Sequence, residues 1–193
     1  VAFVLIDWRA EGGTLRRALP IAAVPIASGA AAEVLKILIR RERPDQPEVT
    51  ALLDALDRYL GELYAPEDNH ILDVQALLAP EVEFLVACRD GRVVGCGATR
   101  RMPAEPASGD EPYGEIKRMY VDPAHRGQRI AEQLLQALEH GLHSQGVRQA
   151  RLETGRDQVQ AVRLYERCGY AACGAFAGYP DNGLSLFMHK RLG

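Results

Sequence analysis

From Leu35 onward the apolar positions recur with two periods, one of strands and one of helices. Leu35-Lys-Ile-Leu-Ile39 predicts a first strand, ended by Pro44 and Pro47. Val49, Leu52, Leu53, Leu56, Leu60 and Leu63 follow at helical spacing and predict an amphipathic helix that closes between Gly61 and Pro66. Ile71 to Leu78 predicts a second, shorter helix. Val82, Phe84, Val86 and Cys88 alternate as a strand, Asp90-Gly91 is a strong hairpin signal, and Arg92 to Arg101 returns as the partner strand. A two-residue turn there sets Cys88 opposite Val93 and not Cys96, which argues against a disulfide between these cysteines.

A polar loop from Met102 to Pro112 leads into a fourth strand, Glu115 to Val121. A long helix is expected over about 127–144, with Ile130, Leu134, Leu135, Leu138 and Leu142 on its buried stripe and Gly146 just past its end. Arg148 to Thr154 reads as a fifth strand. Asp157, with Gln160 three residues on, resembles a capping box that opens a helix to Cys168, which Gly169 closes. Strands near Tyr170–Phe176 and Leu184–His189 finish the chain. The order β-α-α-β-β-β-α-β-α-β-β describes one α/β domain around a mixed sheet.

Residues 1–34 do not share this patterning. Arg16 and Arg17 precede an Ala-rich apolar stretch, Ala18 to Ala32, that Pro20, Pro25 and Gly29 interrupt. A secretory signal, a dispensable leader and an extension that packs on the fold or on a partner all fit that composition. The stretch lies far from the N-terminus for a signal, so a leader is preferred, with the folded domain expected over 35–193.

Composition narrows the function classes. The chain has 193 residues, 47% hydrophobic and 25% charged, enough for one soluble domain with a substantial core. With 23 basic against 26 acidic residues and no basic block, no nucleic-acid partner is expected. No apolar run is long enough for a membrane span, so no membrane partner is expected either. Cys88, Cys96, Cys168 and Cys173 form neither a disulfide framework nor a CxxC pair, which suits a reducing, cytoplasmic setting. His140 and His143 share a helix face but lack an HExxH motif or a cysteine partner, so no metal is expected.

The segment Val121-Asp-Pro-Ala-His-Arg-Gly-Gln-Arg-Ile-Ala131 carries the chemistry. A strand ends, the chain turns and a helix begins among Arg and Gly residues. N–H groups without intrahelical acceptors, with the positive end of the helix dipole, suit an anion such as a pyrophosphate. Gly127 lets the main chain approach, and Arg126 and Arg129 add positive charge. An ordinary strand-to-helix turn with exposed arginines is the plain alternative.

This segment resembles motif A of the GNAT superfamily of acyl-CoA-dependent N-acetyltransferases, Arg/Gln-x-x-Gly-x-Gly/Ala after a strand and a proline turn. Arg126 fills its first position and Ala131 its last, while Arg129 stands where the pattern has glycine. A residue in the first helical turn is expected to take a negative φ there. A second segment, Gln158 to Tyr170, resembles the superfamily's Asn-x-x-Ala-x-x-x-Tyr-x-x-x-Gly-Phe/Tyr pattern. Ala161, Tyr165, Gly169 and Tyr170 match it, and Gln158 replaces the asparagine. The resemblance covers about 35–191. The ending Phe176 to Met188, with Gly114-Glu-Ile-Lys and Leu152-Glu-Thr-Gly155, is similar to a small bacterial subgroup often labelled indole-3-acetic-acid acetyltransferase-like.

The resemblance implies a mixed, mostly antiparallel central sheet flanked by helices and splayed between its fourth and fifth strands. Acetyl-CoA, as co-substrate, would lie in that opening. Met119, Tyr120 and Val121 would pair with it through their backbone, one N–H stabilising the developing oxyanion. Arg126, Gly127, Gln128, Arg129, Ile130 and Ala131 would hold the pyrophosphate, with Gln158 alongside. Tyr165 is the candidate proton donor to the leaving thiolate, or else a core aromatic. Glu115, expected partly buried at the cleft with a raised pKa, is the candidate base, with Glu153 as its substitute. Otherwise Glu115 is a strand-end residue bridged to Lys117 or Arg148. No His–Asp/Asn arrangement is readable near Cys168, so direct transfer in a ternary complex is favoured over an acetyl-enzyme. His70, Tyr179 and Asp181 lie in loops beside the acceptor pocket without an assigned role. The expected activity is acetyl transfer to a primary amine of a small, or amino-acid-like, molecule. The alternatives are a non-catalytic acyl-CoA-binding sensor and a transferase for protein N-termini or lysines. A homodimer is left open.

Overall fold

The computed structural model describes residues 37–193, so the expectation for residues 1–34 lies outside the described residues. In chain order the elements are β1 (Leu38–Arg41), α1 (Pro47–Leu63), α2 (Val74–Leu77), β2 (Val82–Arg89), β3 (Arg92–Met102), β4 (Tyr113–Val121), α3 (Ile130–Ser144), β5 (Gln149–Gly155), α4 (Val159–Arg167), β6 (Ala171–Cys173) and β7 (Ser185–Arg191). This is the order that the hydrophobic pattern predicts. The first strand runs Leu38–Arg41 and not 35–39, and the sixth, Ala171–Cys173, is shorter than the expected 170–176. Three helix boundaries also differ, each for a local reason. The second helix is a single turn, because Asp73 caps it by accepting from the Ala76 N–H at 2.7 Å. The long helix starts at Ile130 and not at 127, because Pro123–His125 form a 3₁₀ turn and Gly127 and Arg129 are both left-handed. The helix after β5 starts at Val159 with Gln158 at its N-cap, and the expected capping box at Asp157 does not form. A tight turn decides that: the Gln158 N–H donates to the Gly155 carbonyl, so the chain passes Asp157 before the helix opens.

The strands form one seven-stranded sheet in the order β1-β2-β3-β4-β5-β7-β6. All pairs are antiparallel except β4–β5. The Asp90-Gly91 turn sets Cys88 against Val93 as the loop length requires, and both Cys88 and Cys96 are free thiols. The α3 face buries Ile130, Leu134, Leu135, Leu138 and Leu142 against Leu85, Val94, Ile116 and Leu152. On the other face Val49, Leu52 and Leu53 of α1 and Leu77 of α2 cover Phe84, Val86, Cys96 and Ala98. Each such leucine is worth roughly 1.5–3 kcal/mol of burial. Gly114 is what lets α3 lie this close, since a Cβ there would run into Leu142.

Two features of β4 open the sheet. Its parallel register with β5 lasts only from Gly114↔Ala150 to Ile116↔Leu152, while β5 stays paired with β7 as far as Gly155↔Ser185. Beyond Ile116, β4 carries a bulge. Cys96 pairs with Tyr120 and Ala98 with Lys117, so Arg118 and Met119 together oppose Gly97, and Arg118 sits at φ 56°. The bulge bends β4 away from β5 and leaves its β5-side backbone groups without a strand partner. The sheet is thus splayed between its fourth and fifth strands, as the resemblance implied.

Candidate active site

The splay and the start of α3 enclose a groove of about 820 Å³ that also runs along α4. Met119, Tyr120, Val121, Arg126, Gly127, Arg129, Ile130, Ala131 and Gln158 all line it. Gln128 does not. Its side chain turns away and accepts from the Arg89 guanidinium on the β2–β3 hairpin. The first intrahelical bond of α3 runs from the Gln133 N–H to the Arg129 carbonyl at 3.1 Å, so the N–H groups of Ile130, Ala131 and Glu132 have no acceptor within the helix. Left-handed Gly127 (φ 76°) and Arg129 (φ 59°) shape the run of backbone just before them into a concave, N–H-rich turn. Arg126 donates from Nε to the Val121 carbonyl at 3.0 Å and lies 5.7 Å over the Tyr120 ring, which fixes its charge at the end of β4.

Arg129 corrects one expectation. It takes the left-handed conformation that suits glycine and not a negative φ, because it is the N-cap of α3 and not a residue of its first turn. Its side chain is 79% exposed and pairs with Glu132 at 2.6 Å.

A second, smaller cavity of about 100 Å³ lies on the α1 side of the splay. Lys117, Arg118 and Met119 of β4 line it with Glu153, Thr154 and Gly155 of β5, and His70, Tyr64, Leu184 and Ser185 close it. Gly155 is needed there, since a Cβ would strike the Tyr64 hydroxyl. Leu56, Met119, Gln158 and Tyr165 line both cavities. Tyr165 therefore stands where the two meet. It is 6% exposed, and burial first, then the nearby Cys168 and Glu153, push its phenol above the usual tyrosine value. At neutral pH its hydroxyl therefore keeps its proton.

The two candidate carboxylates have opposite settings. Glu153 faces the small cavity, where its Oε1 accepts from the Ser185 hydroxyl at 2.5 Å and lies 4.0 Å from Nδ1 of His70. Glu115, expected partly buried at the cleft, has no exposed surface and lines neither cavity. It lies on the same face of β4 as Lys117 but is sealed there, where Arg100 donates to it at 2.8 Å, the Tyr179 hydroxyl at 2.5 Å, and Lys117 approaches to 3.4 Å. Of the two bridges considered from sequence, the one to Lys117 forms. Arg148 instead meets His143. Tyr179 packs against His70 in a tilted pair at 4.7 Å between ring centroids and accepts from Lys117 at 3.1 Å, so both loop residues support the small cavity. Asp181 lines neither cavity. Cys168 is half-buried, and burial raises its thiol above the ordinary value, the reverse of what a nucleophilic cysteine needs.

The acetyltransferase (GNAT) family model matches residues 49–170, which include the cleft lining except Leu184 and Ser185. The chain belongs to the GNAT acetyltransferase family. It is therefore an acyl-CoA-dependent acetyltransferase by family. It is 45% identical over 156 residues to the IAA acetyltransferase of Azospirillum brasilense, covering 81% of this chain and 98% of that protein. Among solved structures, one named as an acyl-CoA N-acyltransferase from Klebsiella pneumoniae subsp. pneumoniae superposes with a TM-score of 0.65 at 38% identity, covering 81% and 98% of the two chains. The PaiA N-acetyltransferase of Thermoplasma acidophilum, solved in complex with coenzyme A, shares the fold with a TM-score of 0.62 at 17% identity, over 81% and 99% of the chains. No helix among the described residues of this GNAT domain is long and apolar enough to cross a membrane.

The sequence reading passed over Lys117 except as a partner for Glu115, and passed over Arg118, Tyr64 and Ser185 altogether. Strand alternation alone would have placed Lys117 opposite in facing to Ile116. No local signal marks Tyr64 or Ser185, which reach the cavity only because α1 and β7 pack beside β5.

Proposed function

We propose that this GNAT domain transfers acetyl from acetyl-CoA to the primary amine of a small molecule by direct attack in a ternary complex. The observation that carries this reading is the junction at Tyr165, where a long groove with a helix N-terminus meets a small, polar cavity. The small volume of that cavity favours a small acceptor over a peptide.

The groove fits the donor. Its free helix N–H groups and Arg126 suit a pyrophosphate, and the β4 edge from Lys117 to Val121, left unpaired by the splay, suits an extended amide arm. Acetyl-CoA supplies the activated thioester. Backbone N–H groups at the bulge, around Met119, stabilise negative charge developing on the acetyl oxygen. Glu153 takes the proton that the ammonium must lose before it can attack, and Tyr165 gives its proton to the departing sulfur. Glu115 acts one step away by fixing Lys117 and Tyr179 in place.

The test is calorimetric titration with acetyl-CoA, then thiol release in the presence of a panel of amines. Micromolar binding with amine-dependent release is expected. Binding without release from any amine would leave an acyl-CoA sensor. In Glu153→Gln the rising limb of the pH–rate profile flattens. If the limb survives there and is lost in Glu115→Gln, the base is Glu115.

A further inference from the structure

The small cavity holds more fixed positive charge than an acceptor amine needs. Lys117 is 7% exposed and the Arg118 side chain 4% exposed, and both line it. Burying cations is costly unless something compensates them. The compensation at hand is incomplete. Glu115 carries one negative charge, but Arg100 already holds its Oε2 at 2.8 Å, while Tyr179 donates to its Oε1. Of the three N–H bonds of the Lys117 ammonium, one meets the Tyr179 oxygen at 3.1 Å and one points toward Glu115 at 3.4 Å. The third is free to reach an acceptor in the cavity. Arg118 pairs through one terminal nitrogen with Asp57 of α1, and its Nε is buried without a hydrogen-bond partner. A second observation stands apart from the charges. Arg118 holds a left-handed φ of 56° within the β4 bulge, a conformation that costs energy for any residue but glycine.

From this we infer that the acceptor is an amino carboxylate, a primary amine with a carboxylate a few bonds away, as in the α-amino acids. Its carboxylate meets Lys117 and the Nε of Arg118, and its amine faces Glu153. The cavity is then divided by charge: cations on the β4 side and the Glu153 carboxylate on the β5 side, matching the two ends of one zwitterion. Asp68 and His70 also face this space. His70 stands on the Glu153 side, 4.0 Å from its Oε1, and the Asp68 carboxylate accepts from the Asn182 side chain at 3.0 Å. The inference rests on the acetyl-transfer reading for its chemistry, but not for its binding step.

The experiment uses the full chain and matched pairs: α-amino acids against their own amides, with β-alanine and its amide as a longer pair. Thiol release is followed for each, and binding of the same compounds to CoA-loaded protein is measured by calorimetry. The acids are expected to show kcat/KM at least about tenfold above their amides, the scale of one charge-assisted hydrogen bond. In Lys117→Gln that preference falls to within about twofold of unity, and in Lys117→Arg most of it returns, with melting curves confirming that both variants fold. Equal use of acids and amides overturns the inference, and so does an unchanged preference in Lys117→Gln. If acids bind, amides do not, and nothing is acetylated, the anion site stands while the transferase reading falls. If neither acids nor amides bind, the inference is overturned whatever happens with other amines.

Discussion

The two halves of the cleft are built in different ways. One wall of the donor half is continuous in sequence, with Met119 to Ala131 running through one strand end, one turn and one helix start whose free N–H groups are backbone, and the stretch from Asp157 to Arg167 lines its other side. The acceptor half draws Lys117, Glu153, His70, Tyr64 and Ser185 from five separate stretches, and its polar groups are side chains. Backbone donors at a helix start depend little on side-chain identity, so the donor half tolerates substitution. Side-chain constellations do not, because each member is held by the others.

Tyr165, shared by both halves, gives the largest expected effect. Tyr165→Phe lowers kcat by about 10²-fold or more, within the usual range for a positioned proton donor, while the acetyl-CoA Kd stays within about threefold. Steady-state kinetics with calorimetry separate these, and an unchanged kcat would remove Tyr165 from the chemistry. Next comes the contrast between the two carboxylates. Glu115→Gln leaves Arg100 and Lys117 short of their counter-charge in a dry site and is expected to cost about 3 kcal/mol of stability, whereas Glu153→Gln costs under about 1 kcal/mol. Urea denaturation of the two variants reads the difference directly, and equal losses would mean that Glu115 is better solvated than its surroundings imply.

The acceptor side and the base of α4 also set an alkaline limit. Burial raises the phenols of Tyr113, Tyr165 and Tyr170 above the ordinary value near 10. The unfolded chain releases these protons near pH 10 while the folded chain keeps them, so the stability they contribute is complete below that pH and is lost as pH rises through it. The expected slope is about 1.4 kcal/mol per pH unit for each tyrosine above about pH 10. Urea midpoints at about pH 9 and about pH 11 test it, and Tyr170→Phe should shallow the decline. On the donor side Arg129→Gly relieves a left-handed arginine at the loss of an exposed ion pair with Glu132 and some chain entropy. A net gain of about 0.5 kcal/mol is expected, with acetyl-CoA affinity kept. A drop in affinity would show that the Arg129 charge, not only its backbone, serves the groove.

The same division explains what was legible. The hairpin at Asp90-Gly91 and its Cys88–Val93 register follow from loop length, and the stripe of α3 follows from spacing. Nine of the ten residues expected to hold the donor do line the groove, since a motif of adjacent residues fixes its own local geometry. Gln128 departs because a hairpin about forty residues earlier supplies Arg89 beside it. Asp157 was displaced as a cap by a backbone turn from Gly155, and Glu115 was sealed by its cross-strand partner Arg100 and by Tyr179, which comes from a loop 64 residues further on.

By itself the sequence determined the order of elements, the faces of the helices and the arginine- and glycine-bearing turn before α3, because periodicity, turn chemistry and helix ends act over a few residues. Only the tertiary structure decided where β4 leaves β5, which carboxylate meets the cleft and which cations stand in the acceptor cavity. Those depend on a bulge in one strand and on the packing of segments as far apart as His70 and Ser185, and no local pattern records the free energy of such meetings.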